Sequence, residues 1–234
     1  MKRGIKSYLA FTSGLYRWIL FVLAPLAAVG FQVAFAIIAR RGGHTTGDEL
    51  NGFWMVDAIM MFSSSALLMM AEILLDGRAF GGIAVKRGDT LDCIKTSPKG
   101  RELMRTALRT DLIRMFIESA VVVLLSRTAW TFFGDIAGLW DLGGICIVTA
   151  AVLCPYFFTV TALLIVRHFD YYGLAIGVSC FAYQILGILA VLVRIRMYCY
   201  IIMAVFTVLS VAVSFFSQWK IMRRVEESFY DKEN

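Results

Sequence analysis

LDGRAFGGIAVKRGDTLDCIKTSPKGRELMRTALRTDL, residues 75–112, is a polar connection between two apolar stretches of the chain. Eight of its residues are Lys or Arg, and Arg114 lies two residues beyond its end. Short connections rich in basic residues stay on the cytoplasmic side of a membrane. The segment therefore predicts both a membrane-embedded fold and its orientation.

The composition supports a membrane protein. The chain has 234 residues, of which 59% are hydrophobic and 17% charged, and its mean hydropathy is +0.74. Soluble domains have roughly 45–50% apolar and about 25% charged residues. The formal net charge is +6, but the basic residues flank apolar runs instead of forming one patch with interleaved aromatic residues. We therefore expect the lipid bilayer, and not a nucleic acid, to be a partner of this chain.

Six apolar runs are long enough to cross a hydrocarbon layer, which takes about 20 helical residues. They are residues 18–39, 53–75, 112–133, 143–166, 172–193 and 197–217. Too little chain remains for a separate soluble domain of ordinary size. The sequence therefore predicts an all-α fold in which residues 1–234 form one polytopic transmembrane domain, with residues 76–111 as its long connection.

The basic residues are distributed unequally between the two sides of this topology. With the amino terminus inside, 18 of the 23 Lys and Arg residues are cytoplasmic. The other five are Arg40, Arg41, Arg127, Arg194 and Arg196. This asymmetry predicts a multi-pass protein of the plasma membrane with both termini in the cytoplasm. The first apolar run is longer than the core of a signal peptide, so we expect it to be retained.

Residues 1–17 carry their own pattern. Ile5, Tyr8, Leu9, Leu15 and Tyr16 recur near helical spacing among basic residues. Such a pattern is typical of a helix that lies in the headgroup layer of a membrane. The alternative is a simple basic flank of the first span.

The long connection divides into two helical parts. Gly81, Gly82 and Gly88 interrupt its first half, and a short helix is predicted over Asp89–Lys95 with Asp89 as its cap. Ser97 and Pro98 are typical of a new helix start, and no breaker follows before the third span. Three arginines at four-residue steps then form a stripe on one side of this helix: Arg101, Arg105 and Arg109. The stripe either faces lipid phosphates, faces the carboxylates of a partner, or serves only to fix the topology.

Ionisable residues also occur inside the predicted spans, where they are costly and usually have partners. Asp57 and Arg127 lie at similar depth in spans two and three, so we expect an ion pair between them. Glu72 and Glu118 lie in the inner halves of the same spans, and Arg114 is one turn before Glu118. These residues either fix the register between the helices through buried charge pairs or line a polar path for a substrate.

Several kinds of chemistry lack their usual sequence signals. The two histidines, His44 and His168, form no HExxH motif, and the five cysteines have no CxxC spacing. No GxxxxGK[ST] loop is present for nucleotide phosphates. We therefore predict no catalytic residue, no metal site, no cofactor of this chain's own and no enzymatic activity.

The architecture resembles the membrane subunit of an ABC-2-type exporter. The most specific part of the resemblance is GGIAVKRGDTLDCIKTSPKG, residues 81–100, which lies where such subunits carry the coupling helix that docks on a separate ATPase. The resemblance implies a dimer of membrane subunits with two ATP-binding cassette subunits, which bind ATP and Mg²⁺. It also implies ATPase contacts along the coupling helix, at Asp89, Leu91, Asp92, Ile94 and Lys95.

The resemblance thus predicts an ATP-driven exporter whose path lies at the membrane dimer interface. The short outer loops favour a cargo taken from the membrane or cytoplasm, such as an amphipathic or antimicrobial peptide, or a lipid. Two alternatives stay open. One is an ion-coupled secondary transporter or channel with a proton at Glu72, Glu118 or Asp57, and the other is a membrane scaffold that transports nothing.

Overall fold

The structure confirms the all-α class for the part of the chain that it describes. It is a computed structural model in which the described residues are 2–41, 66–75, 80, 89–133, 142–169, 171, 173–174, 177 and 196–230. All regular secondary structure in these ranges is helical.

Eight α-helices are described. They are α1 (Lys2–Phe11), α2 (Gly14–Trp18), α3 (Ala24–Arg41), α4 (Ala66–Leu75), α5 (Asp89–Thr96), α6 (Gly100–Phe133), α7 (Leu142–Phe169) and α8 (Arg196–Tyr230). A π-helical turn, Ile19–Leu23, joins α2 directly to α3. This wider turn immediately precedes Pro25, which has no N–H to donate and whose ring crowds the carbonyl one turn earlier.

The boundary between α1 and α2 is fixed by local hydrogen bonds. Ser13 is extended, and its hydroxyl accepts a hydrogen bond from the Tyr16 amide at 3.2 Å, which is the usual start of a helix. Arg17 then donates back to the carbonyl oxygens of Leu9 and Thr12, at 2.5 and 2.8 Å. These contacts hold α1 at a defined angle to the helix that follows it.

Helix α6 is the central element. Its 34 residues extend for about 50 Å at the usual helical rise, and they join part of the polar connection to the predicted third span without a break. The helix begins at Gly100 instead of Ser97, because Ser97, Pro98 and Lys99 form a turn that is closed by a hydrogen bond from the Gly100 amide to the Ser97 carbonyl, 3.0 Å. Helices α1, α3, α5, α7 and α8 all contact α6.

The six predicted spans are only partly tested. Within the described ranges, one helical segment, Gly14–Ile38, is long and apolar enough to cross a membrane, and shorter apolar helices cover Ala66–Leu75 and Tyr156–His168. Helices α6, α7 and α8 contain the predicted spans 112–133, 143–166 and 197–217. Most of 172–193, residues 53–65 and the glycines at 81, 82 and 88 lie outside the described residues. Six membrane crossings therefore stay a prediction.

Two large apolar clusters contact α6, and two smaller ones lie at Val122 and Val123 of the same helix. The basal cluster joins α1, α2, α5 and the first half of α6 to the end of α8, and its residues are Tyr8, Tyr16, Leu20, Phe80, Ile94, Met104, Ala107, Leu108, Ile221, Met222 and Val225. The second cluster joins α4, α6 and α7 through Met69, Ile73, Leu112, Met115, Tyr156, Val160, Ala162, Leu163 and Val166. Burial of this apolar surface is what seats the helices on α6.

Helix α1 lies against the first half of α6. Gly4 is so close to α6 that a Cβ atom there would lie 2.6 Å from the Thr110 hydroxyl oxygen, and Tyr8 is only 2% exposed. One side of α1 is therefore covered by protein. The predicted location of residues 1–17 in a headgroup layer is not tested by this packing.

Candidate functional site

A network of five buried charges lies where α4, α6 and α7 meet. Its members are Glu72 from α4, three residues of α6 and one of α7, namely Asp111, Arg114, Glu118 and Arg167. Their side chains are between 1% and 11% exposed. The structure thus brings together the three residues that the sequence places in one polar cluster and adds two more.

Arg114 is the centre of this network. Its two terminal nitrogens lie 2.6 Å from the two carboxylate oxygens of Glu72. Nη1 also donates to Glu118 at 2.7 Å, and Nη2 donates to Asp111 at 2.9 Å. The second oxygen of Asp111 accepts a hydrogen bond from Arg167 at 2.7 Å. Charge-assisted bonds of this length and planar geometry are among the stronger polar contacts in proteins.

Aromatic rings cover the two guanidinium groups. The Arg114 guanidinium carbon lies 5.5 Å from the ring centre of Tyr8 and 5.6 Å from that of Phe21. The guanidinium carbon of Arg167 lies 4.7 Å from the centre of Phe80. These cation–π contacts link the network to α1, to the π-helical turn and to the polar connection. Burial, and next the negative charge of Asp111, raises the pKa of the Tyr8 hydroxyl, so this hydroxyl stays protonated.

Among the described residues, the network contains three carboxylates and two guanidinium groups. Good geometry offsets the cost of removing such charges from water, but loss of one partner leaves the others uncompensated. A cavity of about the size of one water molecule adjoins the network and is lined by Glu72, Glu118, Ser119, Thr159 and Tyr156, among others. The network can fix the register of α4, α6 and α7 relative to one another. The cavity has room for a water molecule beside the carboxylates of Glu72 and Glu118.

The predicted ion pair between Asp57 and Arg127 stays a prediction, since Asp57 lies outside the described residues. Arg127 is completely buried in α6. One turn further along the same helix, the Trp130 indole N–H donates to Gln32 of α3 at 2.7 Å, and both of these side chains are also fully buried. A second polar contact therefore joins α3 to α6 at this level.

The short helix of the polar connection forms as the sequence predicts, over Asp89–Thr96, and it is clamped to α6. A Cβ atom on Gly100 would clash with the carbonyl oxygen of Ile94 and would lie 2.8 Å from its carbonyl carbon. Only glycine allows this close approach of two backbones. A hydrogen bond from the Ser97 amide to the Ile94 carbonyl, 3.1 Å, closes the turn between the helices.

The residues expected to contact an ATPase divide into two groups. Ile94 is 4% exposed and packs in the basal cluster, so its side chain anchors α5 to its own chain. The expected contacts of α5 with an ATPase stay a prediction. The side chains of Asp92 and Lys95 are 62% and 27% exposed and lie 3.8 Å apart. Asp89 and Leu91 lie in the same helix.

The stripe of arginines on α6 is exposed, and part of it faces a carboxylate of this chain. Arg101 and Arg105 lie 3.8 and 3.7 Å from Oε1 of Glu226 in α8. Their side chains are nevertheless about half exposed. Arg109, the third member, is exposed as well.

Three features of the site were not predicted from the sequence. Asp111 lies three residues before Arg114, and this spacing on a helix was the available signal for their contact. Arg167 directly follows the predicted span 143–166, and nothing local in the sequence shows that the end of α7 reaches Asp111. The bond between Gln32 and Trp130 depends wholly on how α3 packs on α6.

Comparison with known proteins yields no match: no protein-family model fits this chain, and no curated protein or solved structure is significantly similar to it.

Proposed function

We propose that this chain is the membrane subunit of an ATP-driven exporter of the ABC-2 type. In this proposal α5 is the helix that docks on a separate ATPase, and the spans form a translocation path with a second membrane subunit. The observation that carries the proposal is the clamped junction of α5 and α6. A short helix with exposed charges is seated, through Ile94 and Gly100, on a long helix that enters the predicted membrane region.

Exposed apolar side chains support membrane embedding. Leu26 of α3, Phe132 of α6, and Val208 and Phe215 of α8 are between 68% and 75% exposed. Apolar surface on this scale is covered by lipid or by another subunit in a functional protein. Together with the hydropathy of Gly14–Ile38, it supports membrane embedding. The six-span topology in the plasma membrane, with both termini cytoplasmic, is part of the proposal and rests on the sequence pattern.

The mechanism that we propose is mechanical. Closure of the ATPase would push on α5, and α6 would carry the displacement into the membrane as a rigid rod. Glu72 and Arg167 tie α4 and α7 to α6 through Arg114 and Asp111, so these helices would move together. Movement at the interface between two membrane subunits would then open the path for an amphipathic peptide or a lipid.

The exposed charges of α5 provide a test. The tagged chain is purified from its native membrane in mild detergent, and the expected companion is a Walker-motif protein that hydrolyses ATP. The double substitution Asp92→Arg with Lys95→Glu reverses both exposed charges without changing the net charge. We expect it to abolish ATPase recovery and ATP-dependent cargo uptake into inverted vesicles, while the amount of chain in the membrane stays normal.

A matched control is available at the end of α8. Arg223 and Glu227 form an exposed pair, with 3.4 Å between Nε and Oε1. The substitution Arg223→Glu with Glu227→Arg also reverses two charges at no net change, and we expect it to leave ATPase recovery intact. Recovery of the chain without any nucleotide-binding protein, or equal loss in both variants, would contradict the proposed docking helix.

A proton-coupled transporter is the second candidate. The observation that favours it is the water-sized cavity beside Glu72 and Glu118, since carboxylates next to a polar cavity can exchange protons. The two candidates differ in their energy source. Transport by the purified chain alone in liposomes, driven by a pH gradient and without ATP, would favour this second candidate over the exporter.

A further inference from the structure

One ridge of α6 changes abruptly from charged to apolar. Arg105, Arg109, Ile113 and Ile117 follow one another at four-residue steps, so their side chains form a continuous ridge on the helix surface. All four are exposed, with Ile113 at 61% and Ile117 at 54%. The change from guanidinium groups to the aliphatic side chains of isoleucine takes place within about 6 Å along the helix axis. Such a step marks the boundary between an aqueous and an apolar environment.

Side chains of α8 indicate a boundary at the same position along α6. Met222 of α8 packs in the basal cluster with Met104 and Leu108 of α6, so the preceding turn of α8 lies beside the boundary on α6. In that turn Trp219 is 55% exposed, and the Arg223 guanidinium carbon lies 5.7 Å from its ring centre. Exposed tryptophan with an adjacent basic group is typical of the layer between water and hydrocarbon.

The distances along α6 assign different positions to the three arginines. The headgroup layer on each side of a bilayer is roughly 5–8 Å thick. Arg109 is about 6 Å from Ile113 and therefore falls within that layer, whereas Arg105, at about 12 Å, lies just outside it. Arg101 lies further out, and both Arg101 and Arg105 are near Glu226. In the other direction, about 30 Å of helix separates Ile113 from Phe133, which matches the hydrocarbon thickness.

We propose that Arg109, with Arg105 at its rim, binds the phosphate of an anionic phospholipid whose acyl chain lies along the ridge that begins at Ile113. A lipid is favoured over an acidic peptide because the exposed ridge continues as apolar side chains, which a lipid tail covers and a polar peptide does not. This inference rests on the membrane embedding in the proposed function, but not on the ATPase.

The test uses the purified chain in nanodiscs that contain equal amounts of phosphatidylglycerol and phosphatidylcholine. Native mass spectrometry of the released protein measures which lipid it retains. The wild type is expected to retain phosphatidylglycerol preferentially. The substitution Arg105→Gln with Arg109→Gln is expected to lower this preference about fivefold for each lost charge. Arg105→Lys with Arg109→Lys keeps both charges and is expected to keep the preference.

The matched control removes two positive charges away from the boundary. Lys99 and Arg101 lie at the start of α6, about 18–21 Å from Ile113 along its axis, which is more than the screening length of roughly 8 Å at physiological salt. Lys99→Gln with Arg101→Gln is therefore expected to leave the lipid preference unchanged.

Three results would overturn the inference. An equal effect of the two glutamine pairs would show that only overall charge matters. A change in the monomer–dimer ratio without a change in lipid preference would assign the ridge to a second copy of the chain. A chain that is not retained in nanodiscs would refute the membrane embedding and hence the exporter as well. The first two results leave the recovery of an ATPase through α5 unaffected, so the two proposals fail separately.

Discussion

Arg114 and Glu72 form a bidentate ion pair between α6 and α4, with both nitrogen–oxygen distances at 2.6 Å and both side chains at most 8% exposed. The residues are far apart in the sequence, so the contact fixes how the two helices pack. Because Arg114 also binds Asp111 and Glu118, it is the residue on which the charge balance of the whole network depends.

Replacing Arg114 with Met should destabilise the protein strongly. The substitution keeps an unbranched side chain but removes the charge, so that among the described residues of the network Arg167 is the one cation left beside three buried carboxylates. We expect a loss of about 3–5 kcal/mol in the free energy of unfolding, measured by denaturant titration in detergent. Glu72→Gln should cost less, because Arg114 then keeps two of its three carboxylates.

The control for this prediction is Arg223→Met. Arg223 is 64% exposed and pairs with Glu227 one turn away. Exposed pairs of this kind contribute about 0.3–0.5 kcal/mol. An equal effect of Arg114→Met and Arg223→Met would show that the buried network contributes no more than a surface pair.

Gly100→Ala and Gly30→Ala should change stability in opposite directions. At Gly100 the new methyl group meets the Ile94 backbone, and overpacking of this kind costs about 1–3 kcal/mol. At Gly30, inside α3, no atom lies within 4 Å of the added methyl group, so alanine should stabilise the helix by about 0.5–1 kcal/mol. Denaturant titration of the two variants measures the difference. A neutral Gly100→Ala substitution would mean that α5 and α6 are not clamped together.

Gln32→Leu should destabilise the contact between α3 and α6. The substitution leaves the Trp130 indole N–H buried without its acceptor, at a cost of about 1–3 kcal/mol. Trp130→Phe in the same chain removes the donor as well, so the double variant should recover the part of the loss that is due to the unsatisfied group. A double-mutant cycle of unfolding free energies measures this recovery, and strict additivity would contradict the hydrogen bond.

The end of α7 should make stability depend on pH. Burial, followed by the positive charges of Arg224 and Lys220, lowers the pKa of His168. The folded state therefore favours neutral histidine, and its stabilisation is complete above the ordinary value of 6.5 and is lost as the pH falls through the lowered value. Unfolding temperatures between pH 8 and pH 5 should fall less steeply in His168→Gln than in the wild type or in His44→Gln. Identical slopes in all three proteins would contradict the assignment.

Local patterns predicted the helices better than they predicted which side of each helix faces the protein. The absence of a breaker after Pro98 was enough to predict that the long helix runs on into the third span, and spacing alone placed Arg114 beside Glu118. Ile94 is an example of what a local pattern does not predict. An eight-residue helix with apolar and polar sides has the same pattern whether its apolar side contacts a partner or its own chain. The close approach at Gly100 decides between them, and that depends on tertiary packing. Arg167 and Gln32 were missed for the same reason, since their partners lie on other helices.

The packing of α1 on α6 has a consequence for biosynthesis. Tyr8 lies over Arg114, so the first helix of the chain cannot reach its final position until residue 114 has emerged from the ribosome. At roughly 5–20 residues per second this delay is of the order of ten seconds. During that interval the side of α1 that packs on α6 lacks its partner surface.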